Sequence, residues 1–194
     1  MLLFLGRLSY HGKAHPLPLY RALQQLVDDN PSADIHLIEC GHLFNDAIAE
    51  AYDDLLRHFP TLQLHRVGGL TPATEVEKVR ALAAADVFVS LADNLQETFG
   101  LSVIEAMAAG LPVVVSDWNG YKDLVPDGIA GFRLPVEMAL PSHGDHDEID
   151  RSYSLGLLPY DTMIGIRSMA TVVDHRALFK VLQRFLLNRP LTAL

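Results

Sequence analysis

Five short and nearly uninterrupted apolar runs constrain this chain more than any other feature: residues 2–5, 35–38, 62–64 with Val67, 87–89 and 113–115. Each is too short for a helix and consists mostly of Leu and β-branched residues, so each reads as a strand buried on both faces. Between the runs, apolar residues return at helical spacing. Leu19, Leu23, Leu26 and Val27 form one stripe, Phe44, Ile48, Ala51, Tyr52, Leu55 and Phe59 a second, and Val76, Val79 and Ala83 a third. Thr71 followed by Pro72 is expected to open the third helix. A fourth, over residues 101–109, is expected to stop at Gly110 ahead of Pro112. Repeated strand-helix alternation predicts an α/β fold, a Rossmann-like doubly wound parallel sheet with right-handed crossovers.

At 194 residues the chain suits one domain of about 150 residues plus additions. Residues 1–135 read as the Rossmann-like core. Residues 136–170 read as an irregular excursion, because residues 141–160 mix acidic residues, His, Gly, Ser and Pro, and residues 171–194 read as a C-terminal helix starting near His175. Fifteen Lys plus Arg against twenty-four Asp plus Glu leave a formal charge of −9. No overall positive field draws such a chain to nucleic acid or to an anionic bilayer, so an anionic ligand needs a local site. The single cysteine, Cys40, ends an apolar run and reads as a buried small hydrophobe in a reducing compartment. No run approaches the roughly 20 apolar residues of a membrane span. The expected location is the cytoplasm, with peripheral membrane contact left open.

In open parallel sheets ligands bind beyond the carboxyl ends of the strands, which directs attention to the loops there. The first loop, from Gly6 to His15, fails as a phosphate loop: five residues separate Gly6 from Gly12, and Ala14 follows Lys13. What it offers is two cations, Arg7 and Lys13, able to clamp a diphosphate or simply to sit in solvent. A second signal is Glu97-Thr98-Phe99-Gly100-Leu101 running into a helix that carries Glu105 in otherwise apolar company. Amides at such a helix start attract an anion, and Glu105 needs a partner. The run from Ser142 to Glu148 holds two His and several acids, but without a metal-site spacing it reads as a solvated acidic loop, and no metal is assigned. The remaining histidines form no nucleophile-base pattern.

These residues together carry a family likeness. Gly6-Arg7-Leu8, Lys13, the run from Ala85 to Ser90, Glu97-Thr98-Phe99-Gly100 with Glu105, Ala106-Met107-Ala108-Ala109-Gly110-Leu111-Pro112-Val113-Val114, and Asp127-Gly128-Ile129-Ala130-Gly131-Phe132 resemble the C-terminal, donor-binding domain of retaining glycosyltransferases of family 4, which have the GT-B fold. The resemblance implies a single nucleotide-sugar-binding domain whose N-terminal GT-B partner, the source of the acceptor site, is absent. It implies catalytic roles for Arg7, Lys13 and Glu97, the cations on the diphosphate and Glu97 on the donor sugar. Gly6, Val67, Gly68, Thr98, Phe99, Gly100, Leu101 and Glu105 would bind the donor, with Glu105 on the ribose and the Val67-Gly68 turn beside the base. It further implies a metal-independent transfer without a cofactor, from a nucleotide-diphosphate sugar to an unknown acceptor, by a chain close to inactive alone. A non-catalytic nucleotide-sugar-binding module, or an epimerase or phosphorylase relative on the same fold, remains an alternative.

Overall fold

The computed structural model describes residues 1–10, 12–93, 99–138 and 145–187. Six strands, β1 (Leu2–Leu8), β2 (His36–Leu43), β3 (Gln63–Gly69), β4 (Val87–Ser90), β5 (Val113–Ser116) and β6 (Gly131–Leu134), form one parallel sheet in the order β3-β2-β1-β4-β5-β6. All five expected strands are present. The sixth, β6, escaped the sequence reading because Gly131 and Arg133 interrupt its apolar character at the edge of the sheet.

Successive side chains on each strand point to opposite faces, and this splits the core in two. Leu2, Leu37, Val87, Val89 and Val114 face α1 (Leu17–Asp29) and the C-terminal helix α8 (His175–Leu187). Leu3, Leu5, Ile38, Cys40, Phe88, Val113 and Val115 face α3 (Glu75–Ala84), α4 (Leu101–Ala108) and α5 (Tyr121–Leu124). Helix α2 (Asp46–Leu56) packs Tyr52 with Leu8 and Leu43. Because both faces are covered, strands β4 and β5 are buried throughout.

Two readings are corrected here. Helix α3 begins after Thr74, not Thr71: the Thr74 hydroxyl accepts the Glu77 amide at 3.3 Å while the Glu77 carboxylate accepts the Thr74 amide at 2.8 Å. This capping box satisfies two terminal amides, more than a proline at the first helical position can do. Val76 and Val79 are each 60% exposed, Ala83 is also exposed, and the inner face is built on Lys78, Ala81 and Leu82. The segment read as irregular contains β7 (Val136–Met138), α6 (Asp145–Ser154) and α7 (Tyr160–Met169). Strand β7 pairs antiparallel with β8 (Thr171–Val173), ahead of α8. Buried Met163, Ile164 and Ser168 show why α7 is helical: it gains its stability from tertiary packing, which its composition does not advertise.

Candidate functional site

At the carboxyl ends of β1, β2 and β3 the register aligns Gly6 with Gly41 and Gly41 with Gly68. Three adjacent strands thus present bare backbone to the same edge. A β-carbon on Gly41 would overlap the Gly6 carbonyl, and one on Gly68 would overlap the Gly41 carbonyl. The strands can lie as they do only with glycine there. Over this row lies a groove of about 260 Å³, lined by Leu5, Gly6, Arg7, Gly41, His42, Pro72, Ala73 and Lys78.

The first cation, Arg7, lies within β1, not in the following loop, and is exposed. The connection from β1 to α1 then folds back on itself. The Lys13 amide donates to the Ser9 carbonyl at 3.2 Å, and the Gly12 amide donates to the Ser9 hydroxyl at 3.2 Å. A β-carbon at Gly6 would stand 4.0 Å from Lys13 Cε, and one at Gly12 would stand 3.7 Å from Arg7 Nη1. The fold therefore brings both cations against the loop beside the glycine row. Val67 and Gly68 lie in β3 and do not form a turn, although Gly68 has a left-handed φ of 89°.

Helix α4 opens at Gly100, whose φ of 74° is left-handed, and no side chain caps it. A β-carbon at Gly100 would approach Tyr121 Cε1 to 2.6 Å. Tyr121 is itself fixed from below, its hydroxyl 2.8 Å from Ser90 Oγ at the end of β4. Phe99 and Leu101 are exposed at this helix start. Glu105, one turn on, has the partner its setting requires: Lys78 Nζ donates to Glu105 Oε1 at 3.1 Å and is also 2.7 Å from Glu75. Bonds to Glu75 and then Glu105 hold the Lys78 ammonium above its usual pKa. Sequence reasoning missed Lys78 and Gly41. Lys78 was hidden by the wrong helical face, and Gly41 by lying beyond the apolar run at residues 35–38 that marks its strand.

The structure thus brings Gly6, Arg7, Lys13, Val67 and Gly68 to one sheet edge, and Lys78 joins Glu105 on α4 to the groove. Gly100, Phe99 and Leu101 belong to the neighbouring helix start. Glu97 and Thr98 lie outside the described residues, as do Ser142, His143 and Gly144 of the acidic run. Among the described residues no group of three or more metal-ligating side chains occurs. No helix among them is long and apolar enough to cross a membrane.

A second charged cluster is structural. Glu39 is buried in β2, accepts a hydrogen bond from the Tyr20 hydroxyl and faces Arg66 at 3.3 Å; Arg66 also reaches Asp53 at 2.6 Å. Burial raises the Glu39 pKa despite both partners.

A parallel sheet of this order, with helices on both faces, is a Rossmann-like fold of the kind found in GT-B glycosyltransferases. Solved structures share it. The chain is similar to HepE from Anabaena in complex with UDP and glucose (TM-score 0.54, 19% identity, covering 95% of this chain and 44% of that one). It is similar also to the C-terminal domain of the glycosyl transferase group 1 protein LpcC from Francisella tularensis (TM-score 0.54, 16% identity, 86% and 80%). The chain belongs to the glycosyl transferases group 1 family, whose sequence model matches residues 1–141. It is 36% identical over 139 residues to the phosphatidyl-myo-inositol mannosyltransferase of Mycolicibacterium smegmatis, covering 71% of this chain and 33% of that protein. To the D-inositol 3-phosphate glycosyltransferase of Corynebacterium diphtheriae it is 35% identical over 181 residues, covering 92% and 39%. The chain spans between a third and two fifths of the length of these relatives.

Proposed function

We propose that this chain is the donor-binding half of a retaining glycosyltransferase, holding a nucleotide-diphosphate sugar at the carboxyl edge of its sheet. The observation that carries this is the groove lined by Gly6, Arg7, Gly41 and Lys78, with Gly68 next in register, Lys13 beside Gly6 and Glu105 bonded to Lys78. A bare backbone floor admits a flat base and a ribose. Glu105 accepts the ribose hydroxyls, and Val67 and Gly68 lie beside the base. Arg7 and Lys13 take the diphosphate through charge-assisted hydrogen bonds worth about 1.5 to 3 kcal/mol each. The uncapped start of α4 at Phe99, Gly100 and Leu101 adds its positive end. Thr98, which precedes Phe99 in the sequence, is assigned to donor binding, and Glu97 to a hydrogen bond with the donor sugar.

In the transfer, the bond from the anomeric carbon to the β-phosphate oxygen breaks and a bond to an acceptor oxygen forms, the acceptor proton passing to the departing diphosphate. Negative charge grows on the diphosphate as the sugar becomes oxocarbenium-like, and fixed cations at that point lower the barrier without a metal. Exposed Phe44, Leu70, Phe99 and Leu101 ring the strand ends, a surface suited to closure by a further domain. The acceptor's reacting oxygen is positioned in that closed cleft, so this chain alone transfers little.

Calorimetric titration of the chain with UDP, GDP, ADP and their sugars tests the reading. One nucleotide should bind, and Arg7→Ala and Glu105→Ala should each weaken it. Binding unaffected by both substitutions, or no binding to any nucleotide by this chain and by a longer chain carrying a further domain, would overturn it.

A further inference from the structure

A second, different cavity lies beside α7. It has a volume of about 550 Å³ and is lined by Tyr10, His15, Asp93, Asp161, Thr162, Gly165, Ile166, Ser168 and Met169, a size within the roughly 300–1,000 Å³ of small-ligand sites. One wall comes from the connection after β1 that also carries Lys13. The other is α7, which lies beyond the 141 residues that the family model matches. We propose that this cavity is an acceptor subsite for a neutral, hydroxyl-rich ring, a pyranose or a cyclitol; the assignment as acceptor rests on the donor reading above.

The chemistry of the lining selects that ligand. Tyr10 stacks on Tyr52 at 4.7 Å and on His15 at 4.6 Å, both near-parallel, so three rings form a pile that ends on exposed His15. Ring faces and apolar walls suit the C–H faces of a sugar. His15 Nδ1 accepts the Leu17 amide at 3.2 Å, which places the ring proton on Nε2 as a donor, and partial desolvation lowers its pKa. Burial likewise pushes the Tyr10 phenol up to about 12, so it remains a neutral hydroxyl. Asp93 supplies a carboxyl oxygen, Oδ1, that is shut off from solvent and has no hydrogen-bond partner. A buried acceptor left without a donor is costly, and this favours the neutral carboxyl of Asp93 beside the cavity. Asp161 and Thr162, both exposed on the first turn of α7, add a carboxylate and a hydroxyl at the other wall.

Hydroxyl groups both donate and accept, which meets this mixture. A phosphate meets the Asp161 carboxylate and no cation in the lining, and is repelled. A permanent cation is disfavoured because Asp93 itself resists charging, its pKa raised by burial to about 7.

The test uses the ¹⁵N-labelled full chain, titrated with millimolar methyl α-D-glucopyranoside, methyl α-D-mannopyranoside or myo-inositol, with amide shifts read at Asp161, Thr162 and Gly165. At least one probe should shift these amides. Thr162→Trp, an exposed position that would fill the mouth, should abolish the shifts, and Arg7→Ala should leave them unchanged. Nucleoside diphosphate and sugar nucleotide are then added, with shifts read at Gly6 and Gly41. Saccharide shifts that persist beside bound sugar nucleotide support an acceptor subsite. Displacement by the sugar nucleotide but not by the nucleoside diphosphate makes the cavity the donor sugar's own and overturns the inference. Silence at Gly165 with all three probes, or shifts that survive Thr162→Trp, also overturns it, while the glycine-row amides report separately whether the donor reading stands.

Discussion

The groove over the glycine row and the cavity beside α7 share one loop, yet they are built on opposite principles. The groove has a floor of backbone and a charged rim, and its floor comes from three strands in register. The cavity has a wall of stacked rings and apolar side chains, gathered from positions as far apart as Tyr10 and Met169. A backbone floor tolerates no side chain, so it is exacting about residue identity and indifferent to the rest of the chain. A side-chain wall tolerates substitution, provided the element carrying it stays docked. Recognition of a constant ligand part suits the first construction, and recognition of a variable part suits the second.

The contrast can be broken most forcefully at Gly41. Gly41→Val should destabilise the chain by at least about 2 kcal/mol in urea unfolding, since the new side chain overlaps the Gly6 carbonyl and the strands must move apart. Thr162→Trp, on the cavity wall, should leave the same unfolding curve within about 0.5 kcal/mol.

Arg7→Ala sharpens the comparison from the other side. Its side chain is exposed, so stability should hold while nucleotide affinity in calorimetry falls by roughly 10- to 100-fold, the worth of about 1.5 to 3 kcal/mol of charge-assisted contact.

Asp93 separates the two regions by pH. Its folded-state pKa, raised to about 7, lies above that of the unfolded chain. The native state therefore binds the proton more tightly between pH 4 and 7, and the associated stability is complete below the unfolded value and lost as pH rises through about 7. Asp93→Asn should raise Tm at pH 8 and change it little at pH 4, with nucleotide affinity unaffected.

The smallest effect is expected at Lys78. Lys78→Ala removes a half-exposed pair with Glu105, so stability should change by less than about 1 kcal/mol. Nucleotide affinity should still drop a few-fold, because Glu105 loses the group that orients it. No change in affinity would detach Lys78 from the groove.

Local rules made much of the groove legible. Gly6, Arg7, Lys13, Phe99, Gly100 and Glu105 sit in or beside compact motifs whose positions follow from strand ends and a helix start. Gly41 was legible in principle, since its role depends on register with Gly6, but register is a relation between strands that neither strand states. The rotation of α3 was misread because Val76 and Val79 mimic a core stripe, while Thr74 and Glu77 set the start. Nothing in residues 160–169 announced a helix facing Tyr10 and Asp93; Gly165 and two β-branched Ile obscure it, and burial of Met163 and Ile164 decides it.

What the chain determined by itself is the alternation of buried strands and amphipathic helices, the sheet that follows from it, and the edge where the candidate site residues gather. Periodicity and composition are local quantities, and they suffice for that. Tertiary structure alone decided which glycines meet, which cation pairs with Glu105, and that α7 closes a cavity over Asp93. Those depend on distances between segments far apart in the chain, set only when the whole core packs.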